Sequence, residues 1–462
     1  MTSSVPAVVV GAGISGLVCA YALHKAGVNA QVLEASPRAG GVIASEVRDG
    51  FLLELGPQSF SGTAVLQPLC TELGIEDQLI QAPAGAPRYV LIDGALLAVP
   101  LNPAAMLTSS LLSAKTKWRI ARDAFGTTHA PEQDESIAAF VRRKFGEELL
   151  DRLVAPFVSG IYAGDAERIS LRAAFPQAYE AENSAGSIIR GMMRAAKSRK
   201  GPRERPTLLS FRNGNETLVR ALAQKMGSRL RLDAEVLGIA VRREAESVRF
   251  EVRFREAGSD QLVVTERLVL ATPANVAGAL LRDVNAAFEP VLAGIEYAPV
   301  AVVSLGYRRQ DVGHSLDGFG FLVPRSSGLR VLGSVWNSSL FPERAPAGHV
   351  LLTSFVGGAT DSDAAKLSSD ELAALVHREV APILQIRAAP VYSHVQVYRR
   401  ALPQYNLGHG ERLMALERLR SGLPGLSLVG NYFRGPAIGN CVELGMTAAE
   451  TLLAGSAAHP VI

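Results

Sequence analysis

The chain has 462 residues, 48% of them apolar and 20% charged, a globular composition with room for two to four domains at roughly 100–200 residues each. Lys plus Arg number 47 against 44 Asp plus Glu, a net charge of +3, too balanced for a protein that works by neutralising phosphates, so no nucleic-acid partner is expected. Three widely spaced cysteines and scattered histidines exclude a disulfide framework and a zinc site and point to a reducing, cytosolic compartment.

The N-terminal residues carry no basic segment followed by an apolar stretch, and no run of about 18 apolar residues occurs, so neither a secretory signal nor a spanning helix is expected. Residues 8–10 are all valine and predict a strand buried on both faces. A glycine-rich turn follows, then Ile14, Leu17, Val18 and Tyr21 at helical spacing, with Gly27 placed to end that helix. Residues 30–34 predict the next strand. From about 100 to 203 the pattern is helical: Ser136 is placed to cap a helix carrying Ile137, Phe140 and Val141, and Leu149, Leu150, Leu153 and Val154 continue the apolar surface. A basic, Gly/Pro-containing stretch over 197–206 predicts a boundary.

Mixed α/β character returns from 207, with a helix over 216–226 and strands over 230–236, 248–254 and 262–271. A strand-rich block spans about 286–419, with strands over 300–305, 350–355 and 391–398. The chain closes with a strand over 426–429, a Gly/Asn loop and a small-residue helix to about Leu453.

Gly11, Gly13 and Gly16 form G-x-G-x-x-G between a buried strand and an amphipathic helix, and the acidic Glu34 ends the next strand. In that context the motif predicts a dinucleotide site. Gly11 serves the tight turn, Gly13 close approach to a pyrophosphate, and Gly16 helix–strand packing. The helix N-terminus attracts phosphate, and Glu34 suits a ribose diol while repelling a 2′-phosphate. A second glycine pair, Gly40-Gly41, follows closely, and Arg38 is placed to offset pyrophosphate charge. Gly56-Pro57 is a second close-approach turn. Gly430 precedes a helix starting near Gly439-Asn440, whose N-terminus suits a reduced, anionic flavin; Gly445, Ala448 and Ala449 lack bulk where that helix is expected to pack beneath the cofactor. With no second glycine fingerprint, the cofactor expected is FAD alone.

Gly11 to Gly16, Glu34, Arg38-x-Gly40-Gly41 and the Gly430 loop resemble the flavin amine oxidase superfamily. Residues 160–165 with Ser170, 295–301, 318–324 and 402–409 resemble, more narrowly, its oxygen-dependent porphyrinogen oxidases. Two departures stand out: Val42 replaces the usual Arg after the glycine pair, and Gly214-Asn215 replaces two glycines, a turn expected to survive because Asn tolerates left-handed backbone.

The resemblance implies a non-covalent FAD enzyme that oxidises protoporphyrinogen IX to protoporphyrin IX. Six electrons leave in three rounds, a hydride from a methylene bridge passing to flavin N5 in each, with O2 as acceptor and H2O2 as product. It implies an α/β fold: a Rossmann-like FAD-binding domain (1–80, 205–285 and 420–462), a mixed-sheet substrate-binding domain (81–97 and 286–419) and a helical, membrane-associating domain (98–204). Val236, Ile438, Gly439 and Asn440 join the cofactor set. Arg88 is the implied propionate ligand, and Phe319, Leu322, Val335 and Phe355 line the implied tetrapyrrole pocket. The loop from Gly160 to Gly164 is expected to place backbone carbonyls near the reacting carbon. No acid–base pair is evident near these motifs, so none is assigned as catalytic. Pro103, Met106, Leu107, Leu111 and Leu112, followed by Lys115, Lys117, Trp118, Arg119 and Arg122, fit either an interfacial helix with a basic flank or a helix packed on its own domain; the resemblance implies the first, peripheral on the cytoplasmic membrane. A ferrochelatase is the implied consumer of the product. Coproporphyrinogen III, with four propionates, is the rival substrate. More distant readings are an amine oxidase or carotenoid desaturase, and a flavin-free escort protein of the GDP-dissociation-inhibitor kind.

Overall fold

The computed structural model describes residues 2–100, 103–126, 128, 131–198, 208–243 and 248–455. Five short, apolar strands form an all-parallel sheet in the order β11 (Leu230–Arg231), β3 (Ala30–Leu33), β2 (Ala7–Val10), β15 (Leu268–Leu270) and β21 (Leu426–Leu428). Val9 pairs with Val32 on one side and Val269 on the other. Every residue of β2 is buried, as a strand covered on both faces requires. The helices Ile14–Lys25, Glu216–Met226 and Ile438–Leu453 pack into the same core.

Seven strands form the second large sheet, in the order β20 (Tyr392–Pro403), β16 (Tyr297–Arg308), β19 (His349–Gly357), β18 (Val331–Val335), β17 (Gly320–Leu322), β8 (Arg88–Ile92) and β9 (Ala95–Ala98). Only the β17–β8 pairing is parallel. Alternation along β16 divides the sheet's faces. Ala301, Val303 and Leu305 pack with Leu372, Val376 and Val380 of the Ser369–Leu384 helix. Val300 and Val302 face the other way, with Leu332 and Phe355.

Three smaller sheets complete the molecule. One, in the order β1 (Thr2–Ser4), β14 (Ser259–Thr265), β13 (Val248–Glu256) and β12 (Ala234–Arg243), begins with a strand the sequence pattern does not signal. The others join β6 (Phe60–Ser61), β10 (Leu208–Phe211) and β7 (Leu79–Gln81), and β4 (Ser45–Arg48) with β5 (Phe51–Glu54).

The described residues between 103 and 198 are mostly helical, as expected, and Ser136 caps its helix by accepting the Ala139 N–H at 3.1 Å. A π-helical turn, Leu150–Val154, precedes the helix Ala155–Tyr162. Residues 199–206 of the expected boundary lie outside the described residues.

Two expected strands are each split between sheets. The chain breaks at Asp233, which sits at φ +51, so 230–231 joins the parallel sheet while 234–243 joins the antiparallel one. Residues 262–271 divide in the same way between β14 and β15. Leu111 and Leu112 decide between the two readings left open for their segment: they are 0% and 3% exposed and belong to the core of the helical unit, not to an outer face. At the Gly214-Asn215 turn the positive φ falls on Gly214, at +92, and Asn215 is right-handed.

Candidate functional site

In the parallel sheet, β3 and β11 lie on one side of β2, and β15 and β21 on the other. Ligands of such sheets bind beyond the strands' carboxyl ends at this reversal. The Gly11–Gly16 turn leaves β2 there. Gly11 and Gly16 are glycine for want of room: a Cβ would lie 2.8 Å from Ala271 O and 2.1 Å from Gly11 O respectively. At Gly13 a Cβ would meet nothing within 4 Å, so this backbone is open to an approaching group. The helix begins here without a side-chain cap or an acidic residue in its first turn, leaving its N–H groups and positive dipole end to an anion.

Glu34 and the loop after it close around this turn. Glu34 Oε2 accepts the Ala12 N–H at 2.6 Å, and Oε1 accepts the Ser36 N–H at 3.0 Å. Gly40 N–H donates to Ala12 O at 2.8 Å, and Gly13 and Gly40 form a bridge. The exposed Arg38 folds over its own loop, donating to the carbonyls of Ala39, Gly41 and Ile43. Gly56 presses on the next residue, Val42, where a Cβ would lie 2.0 Å from the carbonyl oxygen. Val236 comes two residues after Ala234, whose N–H donates to Glu34 O at 2.8 Å.

Gly430 lies two residues beyond β21, which is two strands from β2. The last helix likewise starts at Ile438 with no side-chain cap and no acidic first turn. Its Gly445 lies on the first helix, where a Cβ would come 2.6 Å from Ser15 O, so Ile438, Gly439 and Asn440 are about two turns from that contact. The small residues of this helix thus serve helix–helix packing. Thr272, just after β15 and beside Gly11, has a buried hydroxyl with no hydrogen-bond partner. An orphaned hydroxyl, an open Gly13 and two uncapped helix N-termini around one crevice fit a dinucleotide.

The six expected substrate residues come together at one end of the seven-stranded sheet. Gly320 pairs with Arg88 on one side and with Val335 on the other. Phe319 N–H donates to Pro87 O at 2.7 Å, placing its ring beneath the exposed Arg88 guanidinium, 5.4 Å away. Phe319, Val335 and Phe355 share one cluster. Leu322 reaches across to the Ala155–Tyr162 helix, where a Cβ on Gly160 would lie 2.6 Å from Leu322 Cδ2. Phe319, Leu322 and Phe355 are only half-buried, so they form a face and not a sealed core.

Gly160 to Tyr162 close the Ala155–Tyr162 helix instead of forming the expected loop, and of the carbonyls from Gly160 to Gly164 two are already engaged. Tyr162 O accepts from Gln404 Nε2 at 2.8 Å and Ala163 O from Ala359 N–H at 2.7 Å. The 402–409 motif was recognisable in the sequence, but the work of its residues was not. Tyr405 hydroxyl donates to Asn431 O and accepts the Gly435 N–H at 2.7 Å, and His409 Nε2 donates to Tyr432 O at 3.0 Å. With Gln404, these side chains tie the end of the Ala155–Tyr162 helix to the segment after Gly430. Burial pushes the His409 imidazole down to about 4 and the Tyr162 phenol up to about 12, so both stay neutral at physiological pH. A buried pair, Glu54 and Arg344, lies behind the Gly56 turn; no local pattern signals it. No group of His, Cys, Asp and Glu suited to a metal occurs among the described residues, and all three cysteines are free and buried.

Residues 14–453 match the family model described as flavin containing amine oxidoreductase. The chain is 35% identical over 458 residues to the chloroplastic protoporphyrinogen oxidase of Nicotiana tabacum, covering 94% of this chain and 83% of that protein. It is 29% identical to the coproporphyrinogen III oxidase of Bacillus subtilis (strain 168), covering 96% of this chain and 97% of that one. A crystal structure of an Exiguobacterium sp. 255-15 protein, provisionally named protoporphyrinogen oxidase, superposes with a TM-score of 0.79 at 26% identity, covering 98% of this chain and 99% of its own.

Proposed function

This chain belongs to the flavin containing amine oxidoreductase family, and on that premise we propose that it oxidises protoporphyrinogen IX to protoporphyrin IX. It is an FAD-dependent oxidoreductase. The observation that carries the substrate reading is the apolar face of Phe319, Leu322, Val335 and Phe355 with one exposed guanidinium, Arg88, stacked at its rim. A wide apolar macrocycle with propionates on one edge matches that arrangement.

Bound FAD supplies the two-electron acceptor that no side chain here provides. The chain's own residues bind and orient. The Gly11–Gly16 turn, Glu34, Arg38, the Gly40-Gly41 and Gly56-Pro57 turns, Val236, Gly430 and Ile438 to Asn440 are the proposed cofactor ligands. The half-buried aromatic face excludes water from the macrocycle, and Arg88 fixes its edge. No side chain is assigned a proton-transfer role. Each of three rounds removes two electrons and two protons from the substrate, and dioxygen takes them to give hydrogen peroxide. The fold is read as a discontinuous flavin domain (1–80, 205–285, 420–462), a substrate domain (81–97, 286–419) and a helical domain (98–204).

Among the described residues no helix is long and apolar enough to cross a membrane. Peripheral docking through the helical domain is supported by exposed Trp118, Phe125, Met192 and Met193, interleaved with Lys115, Lys117, Arg119, Arg122, Arg190 and Arg194. Asp123 accepts the Ile189 N–H at 3.2 Å, which brings the ends of their two helices together.

The test is turnover of protoporphyrinogen IX and coproporphyrinogen III by the purified holoenzyme, followed by porphyrin fluorescence. Faster use of protoporphyrinogen is expected. Equal or faster use of coproporphyrinogen, or a colourless protein that takes up no FAD, overturns the reading.

A further inference from the structure

Glu54 ends β5, and Arg344 lies in the loop before β19, yet each is 1–2% exposed and they meet in the interior. Arg344 Nη2 lies 3.4 Å from Glu54 Oε1. The same Nη2 donates to Ser210 Oγ at 2.6 Å and to Phe211 O at 3.1 Å. Arg344 O in turn accepts the Leu52 N–H at 3.1 Å. The Glu54 carboxylate accepts the Asn215 N–H at 2.9 Å through Oε1 and the Ser45 hydroxyl at 2.6 Å through Oε2.

Two relays run from this pair to one turn. Ser210 hydroxyl donates to Asn215 Oδ1 at 2.9 Å, and Asn215 Nδ2 donates to Pro57 O at 2.8 Å. Gln58 Nε2 donates to Glu54 O at 2.9 Å and Gly56 O at 2.8 Å, while Gln58 Oε1 accepts from Asn337 Nδ2 at 2.7 Å. Asn337 is two residues beyond Val335, on the apolar substrate face. Gly56 itself sits on Val42, next to the glycine pair that bridges Gly13. Both carbonyls of the turn, Gly56 O and Pro57 O, are therefore held by side-chain amides of this network.

A buried ion pair is a poor source of stability, because desolvation offsets most of the attraction, and an apolar pair of similar volume serves as well or better. Burial pushes the Glu54 carboxyl up to about 7 despite the Arg344 guanidinium beside it, which is that desolvation cost seen from the carboxylate. Geometry is what such a pair supplies and an apolar pair does not: directed bonds on Ser210, Asn215 and Ser45.

We propose that Glu54 and Arg344 are positioning residues, whose side chains through Ser210 and Asn215 hold the Gly56–Pro57 turn in register with the cofactor crevice, while Gln58, bonded to the Glu54 backbone carbonyl, links the same turn to Asn337 behind the substrate face. The inference rests on the reading of that crevice as an FAD site. Its role is indirect, since neither side chain is exposed to a ligand.

The test compares the parent holoenzyme with Glu54→Gln, the double variant Glu54→Gln/Arg344→Met, and Asn215→Ala. The readouts are melting temperature of the apoprotein, FAD dissociation constant from flavin fluorescence, and flavin midpoint potential. Glu54→Gln leaves a buried guanidinium unpaired and is expected to lose both stability and FAD affinity. The double variant is expected to recover the parent melting temperature and still bind FAD at least tenfold more weakly, with a shifted midpoint potential. Asn215→Ala breaks the relay while keeping the ion pair and is expected to weaken FAD binding by a similar factor. Recovery of parent FAD affinity and potential in the double variant makes the pair merely structural and overturns the inference. A parent chain that binds no FAD overturns the cofactor reading and this inference with it.

Discussion

The guanidinium of Arg88 lies over the ring of Phe319, 5.4 Å from its centroid, on a strand paired in parallel with the one that Phe319 leads into. The stacking orients the fork without neutralising it, which suits a carboxylate arriving at the rim. Arg88→Ala is expected to raise KM for the porphyrinogen about 10- to 100-fold with kcat little changed, since a hydrogen bond to a charged group contributes about 1.5–3 kcal/mol. Arg88→Lys keeps the charge but not the fork and recovers part of the loss. Steady-state porphyrin fluorescence measures both.

Gly13 and Gly16 separate binding from folding. Gly13→Val places its side chain in open space, at φ −66, and is expected to keep the parent melting temperature while losing FAD affinity at least tenfold. Gly16→Val meets Gly11 O at 2.1 Å, and no rotamer relieves a backbone clash, so the expected outcome is loss of soluble protein. Thermal melts and flavin titration of the pair check this; equal FAD affinity in Gly13→Val counts against a cofactor at this turn.

Gly160 leaves room for Leu322. Gly160→Ala brings a Cβ within 2.6 Å of Leu322 Cδ2, the free end of a flexible side chain, so the leucine turns instead of the backbone. A stability change of about 1 kcal/mol is expected, with KM raised severalfold because the leucine moves into the apolar face. The companion Gly160→Ala/Leu322→Ala is expected to recover most of the parent KM.

His409 makes the protein acid-sensitive. Burial lowers its pKa from 6.5 to about 4, and its Nδ1 is buried without a partner. Between those values the unfolded chain binds the proton more readily than the folded one, so stability rises with pH through the window and is lost as pH falls, by up to about 3 kcal/mol in all. Glu54, raised from 4.5 to about 7, contributes the opposite slope from pH 4.5 upward. The two are separated by difference: His409→Gln is expected to flatten the acid limb of urea-unfolding midpoints relative to the parent while leaving the Glu54 slope in place.

Trp118 is 61% exposed and Met192 and Met193 are more than half exposed. Replacing all three by Ser is expected to reduce binding to anionic lipid vesicles severalfold in a sedimentation assay, with porphyrinogen turnover in detergent unchanged. Parent protein that fails to sediment with vesicles removes the docking proposal.

Contiguous chemistry was readable from the sequence, and chemistry assembled across the chain was not. Gly11 to Gly16 and Glu34 are legible because turn, helix start and strand end follow one another within one βαβ unit. The proposed substrate residues are legible only through resemblance, since Arg88 and Phe319 meet by strand pairing between distant segments. Glu54 and Arg344 carry no local signature: each resembles a surface charge until the fold buries it. Hydrophobic periodicity left two readings open for Leu111 and Leu112 because an apolar stripe states that a face is covered, not whether lipid or protein covers it. It merged β11 with β12 because a single left-handed Asp233 is enough to send the chain into another sheet, and Asp is a residue that tolerates this.

The parallel sheet takes its middle strand from residues 7–10 and its outer strand from 426–428. The crevice therefore draws its walls from segments far apart in the sequence, and all of them must be in place before it is complete. Until then β15 has an unsatisfied edge, and the chain must wait in a partly folded, aggregation-prone condition. The cofactor proposed for this crevice accordingly has a complete site only once β21 has docked against β15.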